Sequence, residues 1–321
     1  RQRQMCIRDS DKLDRVIQGD FSANAHQLMD SYYDAIVLAD VLEHLPDTDQ
    51  ALQIIANKLA PGGKLILSIP NTRHWSVLRS LIEGDWKYER EGLLDKTHLR
   101  FFTHRSLIRT LAKNGFQPQS TAATRYFSPA PTGLGELLTT VGIRAGNLQD
   151  ESGDYQYLLV CQKASPSEVS INTPVDPLQA RSVFYLAEHF LESGDLEKAI
   201  AIYSLRCQYN STDEQHWYSC LQVASLMDRL GYPRSEVLFS YWSTVQARPT
   251  RAEPLVYLAR LYRENNEFAL AQLCARMAID ISHPRDTGYI DADCYQWKAL
   301  DELSVASYWV GDYEDSRQSC E

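Results

Sequence analysis

One short segment in the first half of the chain combines side chains that move protons and bind anions. It reads Asp95-Lys-Thr-His98-Leu-Arg100. A histidine has an ordinary pKa near 6.5, so His98 could remove a proton from a hydroxyl group around neutral pH. Asp95 could orient the ring, and Arg100 could bind a carboxylate or a phosphate. The structural alternative is that Asp95 and Arg100 form an ion pair while His98 caps a turn.

Further polar side chains follow apolar runs that predict strands. Asp40 and Val41 come directly after the run 34–39, and His44 lies three residues beyond Val41. In open parallel sheets, ligands bind at the carboxyl ends of the strands. Asp40 therefore either lines a ligand pocket or is a solvated loop carboxylate. His44 is either a base or a polar group at the end of a helix.

Two other strand ends carry candidate residues. Asp20 and Phe21 follow Val16-Ile17, which we interpret as the end of a strand, and Asn71 follows the run 64–69. Asp20 could equally be the N-cap of a helix after it. We expect the ends at Asp20, Asp40 and Asn71 to be neighbours at one edge of a single sheet.

The runs 34–39 and 64–69 are apolar without alternation, which predicts strands buried on both faces of a parallel sheet covered by helices. Asp47 and the apolar stripe after it predict a helix up to Leu59, which Pro61-Gly62-Gly63 ends. The remaining predicted elements are a helix over Thr103–Asn114 followed by Gly115, strands over Phe116–Thr124 and Tyr155–Gln162, and a helical stretch near Gly135–Ile143. Two late strands with a long connection fit an antiparallel pair at the edge of the sheet.

Every segment after residue 178 has a helical pattern, and its small and aromatic residues repeat. The motif comprises Ala187, Phe190 and Ala199, then Ala259, Tyr262 and Ala271, with Ala224 in a degenerate copy between them. Its anchors are 37 and 35 residues apart. This pattern resembles tetratricopeptide (TPR) repeats, whose period is about 34 residues. The region continues through an insertion at 283–298 and a fourth copy from Ser304; the alternative is a helical bundle without repeats.

The segment 38–45, Leu-Ala-Asp-Val-Leu-Glu-His-Leu, together with Pro61-Gly62-Gly63 and the strand end 68–71, resembles class I S-adenosylmethionine (SAM)-dependent methyltransferases of the type 11/12 kind. The resemblance implies a Rossmann-like fold and SAM as cofactor. It also implies that Asp20 accepts a hydrogen bond from the adenine amino group, that the Phe21 backbone N–H contacts the adenine, and that Asp40 and Val41 line the cofactor pocket.

The segment 95–103 resembles a methyltransferase subgroup in which this stretch lies over the pocket. The resemblance implies catalytic roles for His98, His44 and Asp95 and acceptor binding by Arg100 and Asn71. Trp75, Trp86 and Tyr88 lie in the region where such enzymes select acceptors, although burial explains them equally well. Phe101 and Phe102 are either core residues or stack on the acceptor. We predict no metal ligands.

The glycine-rich loop that this family places after its first strand is missing. Only 19 residues precede Asp20, too few for two strands and two helices. We therefore expect an N-terminally truncated methyltransferase domain over 11–163, a linker over 164–178 and TPR-like repeats over 179–321. Residues 1–10 fit no part of the domain and are interpreted as an artefact or a disordered tail. The fold class is thus α/β, a partial Rossmann-like sheet followed by an all-α domain, and we expect weak SAM binding by the chain as written.

The substrate expected from the resemblance is a small molecule or a cell-surface glycan intermediate. The second half also resembles the helical-repeat tails of bacterial multidomain glycosyltransferases, in the segments 252–262, 284–286, 291–295, 300–303 and 308–313. The alternatives are therefore a protein-interaction module with a partner in the TPR-like groove, or part of a glycosyltransferase. Asp291-Ala-Asp293 has the letters of a nucleotide-sugar motif, but no strand precedes it, and we interpret it as a loop.

Composition narrows the classes of protein further. The chain has a net charge of −10 and a pI near 5.3, so phosphate backbones repel it and nucleic acid is not expected as a partner. No apolar run reaches the roughly 20 residues of a membrane span. The 7 cysteines are scattered and odd in number, which favours reduced thiols. We predict a bacterial cytoplasmic location.

Overall fold

The structure is a computed structural model that describes residues 14–125, 129–143, 145–164, 174, 176–209 and 211–320. The chain divides into two compact units. Unit 1 comprises residues 1–125 and 154–171, and unit 2 comprises 126–153 and 172–321. No helix in the described part of the chain has the length and apolar character needed to cross a membrane.

Unit 1 is built around a four-stranded mixed sheet. Its strands are β1 Tyr33–Ala39, β2 Leu59–Pro70, β3 Phe116–Arg125 and β4 Asp154–Lys163, in the order β1-β2-β4-β3. β1 and β2 are parallel, whereas β4 is antiparallel to both β2 and β3. The helices of this unit are α1 Phe21–Asn24, α2 Thr48–Lys58, α3 Trp75–Ile82 and α4 His104–Lys113. The predicted parallel strands and the late antiparallel pair are confirmed.

Local sequence signals explain where these helices begin and end. Asp47 caps α2 by accepting a hydrogen bond from the Gln50 backbone N–H at 2.9 Å. Thr103 and Ser106 form a reciprocal capping box at the start of α4. Gly63 lies at the start of the β1–β2 pairing, where an added Cβ would lie 2.8 Å from the Tyr33 carbonyl oxygen. Only glycine fits that close approach.

Two expectations about the sheet are wrong. Val16-Ile17 is not part of a strand among the described residues, so Asp20 does not follow a strand next to β1. β1 is not buried on both faces, because Val37 is 61% exposed, and its sheet neighbour Ile66 is exposed as well. The described helices α2 and α4 contact β2 and β3, and the side chains at Leu65, Leu67 and Ile69 are buried. Val37 and Ile66 point to the opposite face of the pleated sheet.

Unit 2 consists of helices packed in successive antiparallel pairs, preceded by two short ones. The short helices are α5 Leu134–Thr140 and α6 Leu148–Glu151. The paired helices are α7 Pro177–Glu192 with α8 Leu196–Gln208, α9 Glu214–Arg229 with α10 Arg234–Ala247, α11 Glu253–Glu264 with α12 Phe268–Ile279, and α13 Ala299–Val310 with α14 Tyr313–Cys320. Consecutive helix pairs of this kind form the TPR-like repeat architecture.

The small residues of the repeat motif explain this packing. Ala187, Ala224 and Ala259 are all fully buried, as are Ala199 and Ala271 on the second helices of their pairs. Gly311 ends α13 with a left-handed backbone (φ +91°), at the turn predicted for the fourth copy. The insertion ends in a π-helical turn, Cys294–Lys298, that continues into α13. The predicted repeats are confirmed.

The boundary between the units differs from the expected one. The first domain expected from the sequence, 11–163, includes residues 126–153, whereas in the structure these residues cluster with the helical unit. Arg181 on α7 pairs with Asp150 at 3.1 Å, and Tyr185 donates a hydrogen bond to the buried carboxylate of Glu151. Most of the expected linker, 164–178, and all of residues 1–10 lie outside the described residues. The last two linker positions, 177 and 178, begin α7.

Candidate active site

Backbone hydrogen bonds join two segments that the sequence predicted to be functional. β1 ends at Ala39, and the chain then forms a short 3₁₀ turn, Leu42–His44. The carbonyl oxygen of Glu43 in this turn accepts hydrogen bonds from the N–H groups of Leu99 and Arg100, at 2.9 and 3.0 Å. The segment 95–100 is therefore anchored on the turn that follows the carboxyl end of β1.

This junction brings His44 and His98 together, with their ring centroids 4.8 Å apart. Nδ1 of His44 lies 3.0 Å from the Thr97 carbonyl oxygen, and Nδ1 of His98 lies 3.2 Å from that of Leu93. A carbonyl oxygen only accepts hydrogen bonds, so Nδ1 of each neutral ring carries the proton and Nε2 keeps a lone pair. Burial lowers the pKa of His98, which favours the neutral ring.

Asp95 shapes the loop that carries His98. Its carboxylate accepts hydrogen bonds from the Thr97 backbone N–H at 2.8 Å and from the Thr97 hydroxyl at 2.7 Å. These bonds hold the pKa of Asp95 below its ordinary value. The alternative ion pair with Arg100 does not form in the described structure. The Arg100 guanidinium instead donates hydrogen bonds to the carbonyl oxygens of Leu99, at 3.1 Å, and Pro46.

Sequence reasoning missed Glu43. Its side chain is 1% exposed, and neither carboxylate oxygen has a hydrogen-bond partner in the described structure. Burial first, with a smaller contribution from the nearby charge of Asp40, raises the pKa of Glu43 to about 7. One carboxylate oxygen lies within 4.8 Å of a ring nitrogen of His44 and one of His98, a spacing at which the three could hold a metal ion. The only feature of the sequence that could have pointed to Glu43 is its position shortly after a predicted strand. A single sequence does not reveal that its side chain is buried.

Asp40 joins the ends of three strands. Its φ of +53° places a non-glycine residue in the left-handed region, a strained conformation found at functional sites. The Ser68 hydroxyl accepts from the Asp40 backbone N–H at 3.0 Å and donates to Oδ1 at 2.9 Å. The Gln156 amide also donates to Oδ1. Val41, the next predicted residue, is half-buried.

The remaining predicted residues lie in varied surroundings. Asp20 caps α1 by accepting from the Ala23 backbone N–H at 2.9 Å, and Phe21 is the first residue of that helix. Asn71 is buried; its amide donates to the Asp154 carbonyl oxygen at 2.7 Å and accepts from the Arg73 N–H at 2.9 Å. Through these contacts Asn71 has a structural role: it joins the end of β2 to the start of β4.

Of the aromatic candidates, Trp75 is half-buried at the start of α3 and Tyr88 is exposed. Trp86 packs edge-on against Phe101, with centroids 5.4 Å apart, beside the small core formed by Val77, Leu93 and Leu94. Phe102 is buried, as expected of a core residue. Among the aromatic residues predicted to contact the acceptor, Tyr88 therefore has the largest exposed fraction.

Part of unit 1 is similar in sequence to a known protein family. Residues 3–121 match a family model described as a methyltransferase domain. Over these residues the chain is similar to methyltransferase domains. Unit 1 carries a sheet of the expected Rossmann-like kind, and the TPR-like helical region follows it in sequence.

A curated relative and two solved structures are similar to parts of the chain. A highly reducing polyketide synthase of Gibberella zeae is 30% identical over 104 residues, which is 32% of this chain and 4% of the synthase. The chain therefore spans a small fraction of the curated relative it matches. A SAM-dependent methyltransferase structure from Archaeoglobus fulgidus is 17% identical, covering 49% of this chain and 71% of that one, with a TM-score of 0.33. The MamA structure from Desulfovibrio magneticus is 12% identical, covering 44% and 71%, with a TM-score of 0.34.

Proposed function

We propose that the protein is a SAM-dependent methyltransferase that methylates a hydroxyl group of a small molecule or a cell-surface glycan intermediate. One observation carries this proposal: Asp40, Glu43, His44 and His98 converge after the carboxyl end of β1, within the residues that match the methyltransferase model. In open α/β sheets this edge is where ligands bind.

The described residues suit the charge of the cofactor. SAM, when bound, supplies a methyl group on a positively charged sulfonium sulfur. Asp40 offers a carboxylate at the strand ends, and its Oδ2 has no hydrogen-bond donor among the described residues. Asp40 and Val41 would line the cofactor, and Asp20 and the backbone of Phe21 would hold its adenine. Asp20 can do this with the carboxylate oxygen that does not cap α1.

The acceptor would meet the cluster formed by Glu43, His44 and His98. An oxygen acceptor gains the methyl group and loses its hydroxyl proton, so a proton-accepting group near the oxygen helps the reaction. Both imidazoles keep Nε2 available because their Nδ1 atoms face backbone carbonyls. Arg100 and Tyr88, both exposed, would contact the rest of the acceptor. Trp75 is a further candidate acceptor contact.

The test measures SAM binding by the full chain in calorimetry, and transfer as release of S-adenosylhomocysteine with a panel of phenols and methyl glycosides. We expect weak, saturable SAM binding and transfer to at least one of these acceptors. His98→Gln should lower the turnover rate by about 10² or more, whereas His26→Ala, on an exposed turn outside the cluster, should leave it unchanged. Absence of SAM binding would refute the proposal.

A second candidate function, binding of a protein segment by the helical unit, is favoured by a cavity of about 450 Å³. Tyr218, Tyr257 and Tyr289 line it together with the carboxylates of Asp291 and Asp293. Asp291 is held in place by Lys298 at 2.7 Å and Tyr257 at 3.1 Å, which fits the loop interpretation of this motif.

Aromatic and acidic linings suit a segment with cationic side chains. A peptide array probed with the full chain would test this, with Gln222→Trp filling the cavity as the matched variant. We expect Lys- and Arg-containing peptides to bind and the variant to lose them. Equal binding by the variant would exclude this cavity.

A further inference from the structure

The buried carboxylate of Glu43 needs a partner that the described structure does not supply. Both of its oxygens are buried without a hydrogen-bond donor. Buried polar atoms of native proteins nearly always have partners, and an exception calls for an explanation such as a bound ion. Leaving such a group unpaired costs about 1–3 kcal/mol, and more if it is charged. An ion bound at this site would offset the free-energy cost of keeping the Glu43 carboxylate buried.

Two imidazoles beside this carboxylate are oriented as metal ligands usually are. A histidine that binds a metal typically donates its other ring N–H to a backbone carbonyl or a carboxylate, which fixes the tautomer and aims the remaining nitrogen. His44 and His98 both have this arrangement, with Nδ1 at 3.0 and 3.2 Å from carbonyl oxygens. Thr97, whose carbonyl holds His44, is in turn held by the Asp95 carboxylate at 2.7 Å. The supporting contacts of a metal site are thus in place.

The spacing and the type of the three groups fit a single cation. One atom from each of Glu43, His44 and His98 lies within 4.8 Å of the others. Ligands held about 2.0–2.2 Å from a tetrahedral Zn²⁺ are roughly 3.3 Å apart, so small side-chain rotations complete the set. Two imidazoles and one carboxylate form a known catalytic ligand set, with a fourth position open. The charge of Asp40 close by also favours a cation.

We propose that Glu43, His44 and His98 bind one divalent transition-metal cation, with its open position facing the methyl acceptor. The role toward the acceptor rests on the proposed function, whereas the binding itself does not. With the cation bound, Nε2 of each histidine is a ligand and no longer a base. With the hydroxyl oxygen of the acceptor at the open position, the cation favours loss of the hydroxyl proton to solvent. The O–CH₃ bond then forms while the S–CH₃ bond of SAM breaks, which leaves S-adenosylhomocysteine and a methyl ether.

The experiment titrates the chelator-treated full chain with Co²⁺, without SAM or acceptor, and records the visible spectrum and the stoichiometry. Cobalt bound to nitrogen and oxygen ligands gives weak visible bands, whereas thiolate ligands add intense near-ultraviolet charge-transfer bands. We expect one equivalent with visible bands alone. Glu43→Gln and His98→Ala should each weaken binding by at least about 10-fold. The matched control, His26→Ala, removes an exposed imidazole of the same unit and should bind as the parent does.

Circular dichroism first establishes that each variant is folded, and His44→Gln replaces His98→Ala if that variant is not. Absence of one-to-one binding by the parent overturns the inference. Binding that survives both Glu43→Gln and the histidine substitution also overturns it, as does binding that shows thiolate bands only. Methyl transfer is measured separately: metal binding without transfer refutes the proposed function alone, while undiminished transfer after metal removal refutes the role of the cation.

Discussion

The ion-pair network around Arg251 in the helical unit gives the sharpest test of what stabilises that unit. The Arg251 side chain is 0% exposed. Its guanidinium binds both carboxylate oxygens of Glu253, at 2.7 and 3.1 Å, and one oxygen of Asp286 at 2.5 Å. It also lies 3.8 Å from the ring centroid of Trp217. Replacing it with Met keeps most of the volume and removes every one of these polar contacts.

The expected loss follows from what Arg251→Met leaves behind. The buried carboxylate of Glu253 keeps the Tyr295 hydroxyl at 2.7 Å and the Asp291 N–H at 3.3 Å, but among the described residues it keeps no cationic hydrogen-bond donor. Breaking a buried ion pair from one side costs about 3–5 kcal/mol, because the remaining charge is uncompensated. Adding Glu253→Gln removes that charge, so the double variant should recover part of the loss, and the two changes should not be additive.

Hydrogen exchange of peptides from α9 and α11 is the suitable assay, because a chain with two units has no single unfolding free energy. At about 1.4 kcal/mol per factor of ten, a loss of about 3–5 kcal/mol should accelerate exchange roughly 10²- to 4 × 10³-fold. The control Arg317→Met removes an exposed pair with Glu314 and should leave exchange unchanged. An acceleration below about 5-fold, or strict additivity with Glu253→Gln, would refute the reasoning.

Three further predictions concern other features. Gly63→Ala should destabilise unit 1 by about 1–3 kcal/mol in urea unfolding, because its Cβ would lie 2.8 and 2.9 Å from two backbone oxygens; Gly135→Ala, with contacts at 3.6 Å, should cause no loss. Burial, then the charge of Asp286, raises the pKa of Glu214 to about 7, so its contribution to stability is complete below its unfolded pKa and is lost as pH rises toward 7. Glu214→Gln should abolish that pH dependence in thermal melts, and an unchanged slope would refute it. Cys207 and Cys220, with sulfur atoms 3.1 Å apart, should form a disulfide with oxidised glutathione; a peptide map without this crosslink would contradict the expectation.

The elements that could be predicted are those whose signals are local. The cap at Asp47 and the capping box at Thr103 each depend on residues within one helical turn, and both form as the sequence indicates. The repeat positions Ala187, Ala224 and Ala259 could be found because close helix packing requires small residues at a fixed period.

What could not be predicted depends on contacts distant in sequence. An apolar run such as 34–39 indicates a strand, but its burial depends on which helices cover it, and Val37 is exposed. The assignment of 126–153 to the helical unit depends on pairs such as Arg181 with Asp150, 31 residues apart. Neither partner carries a local mark of that pairing, so the sequence did not reveal that 126–153 clusters with the helical unit while 154–163 returns to the sheet.

The candidate site shows both kinds of dependence in one place. His98 could be selected from the sequence because a histidine near an aspartate and an arginine suggests proton transfer and anion binding. Glu43 could not, because its importance arises from its burial near His98, which lies 55 residues away in the sequence. The two meet only because the Glu43 carbonyl accepts hydrogen bonds from both Leu99 and Arg100. The strained backbone of Asp40 turns the chain into that position, and its bonds to Ser68 offset the strain. The geometry of the cluster is therefore set by the backbone at the end of β1, so side-chain substitutions in variants that circular dichroism shows to be folded test the chemistry of the cluster and not its placement.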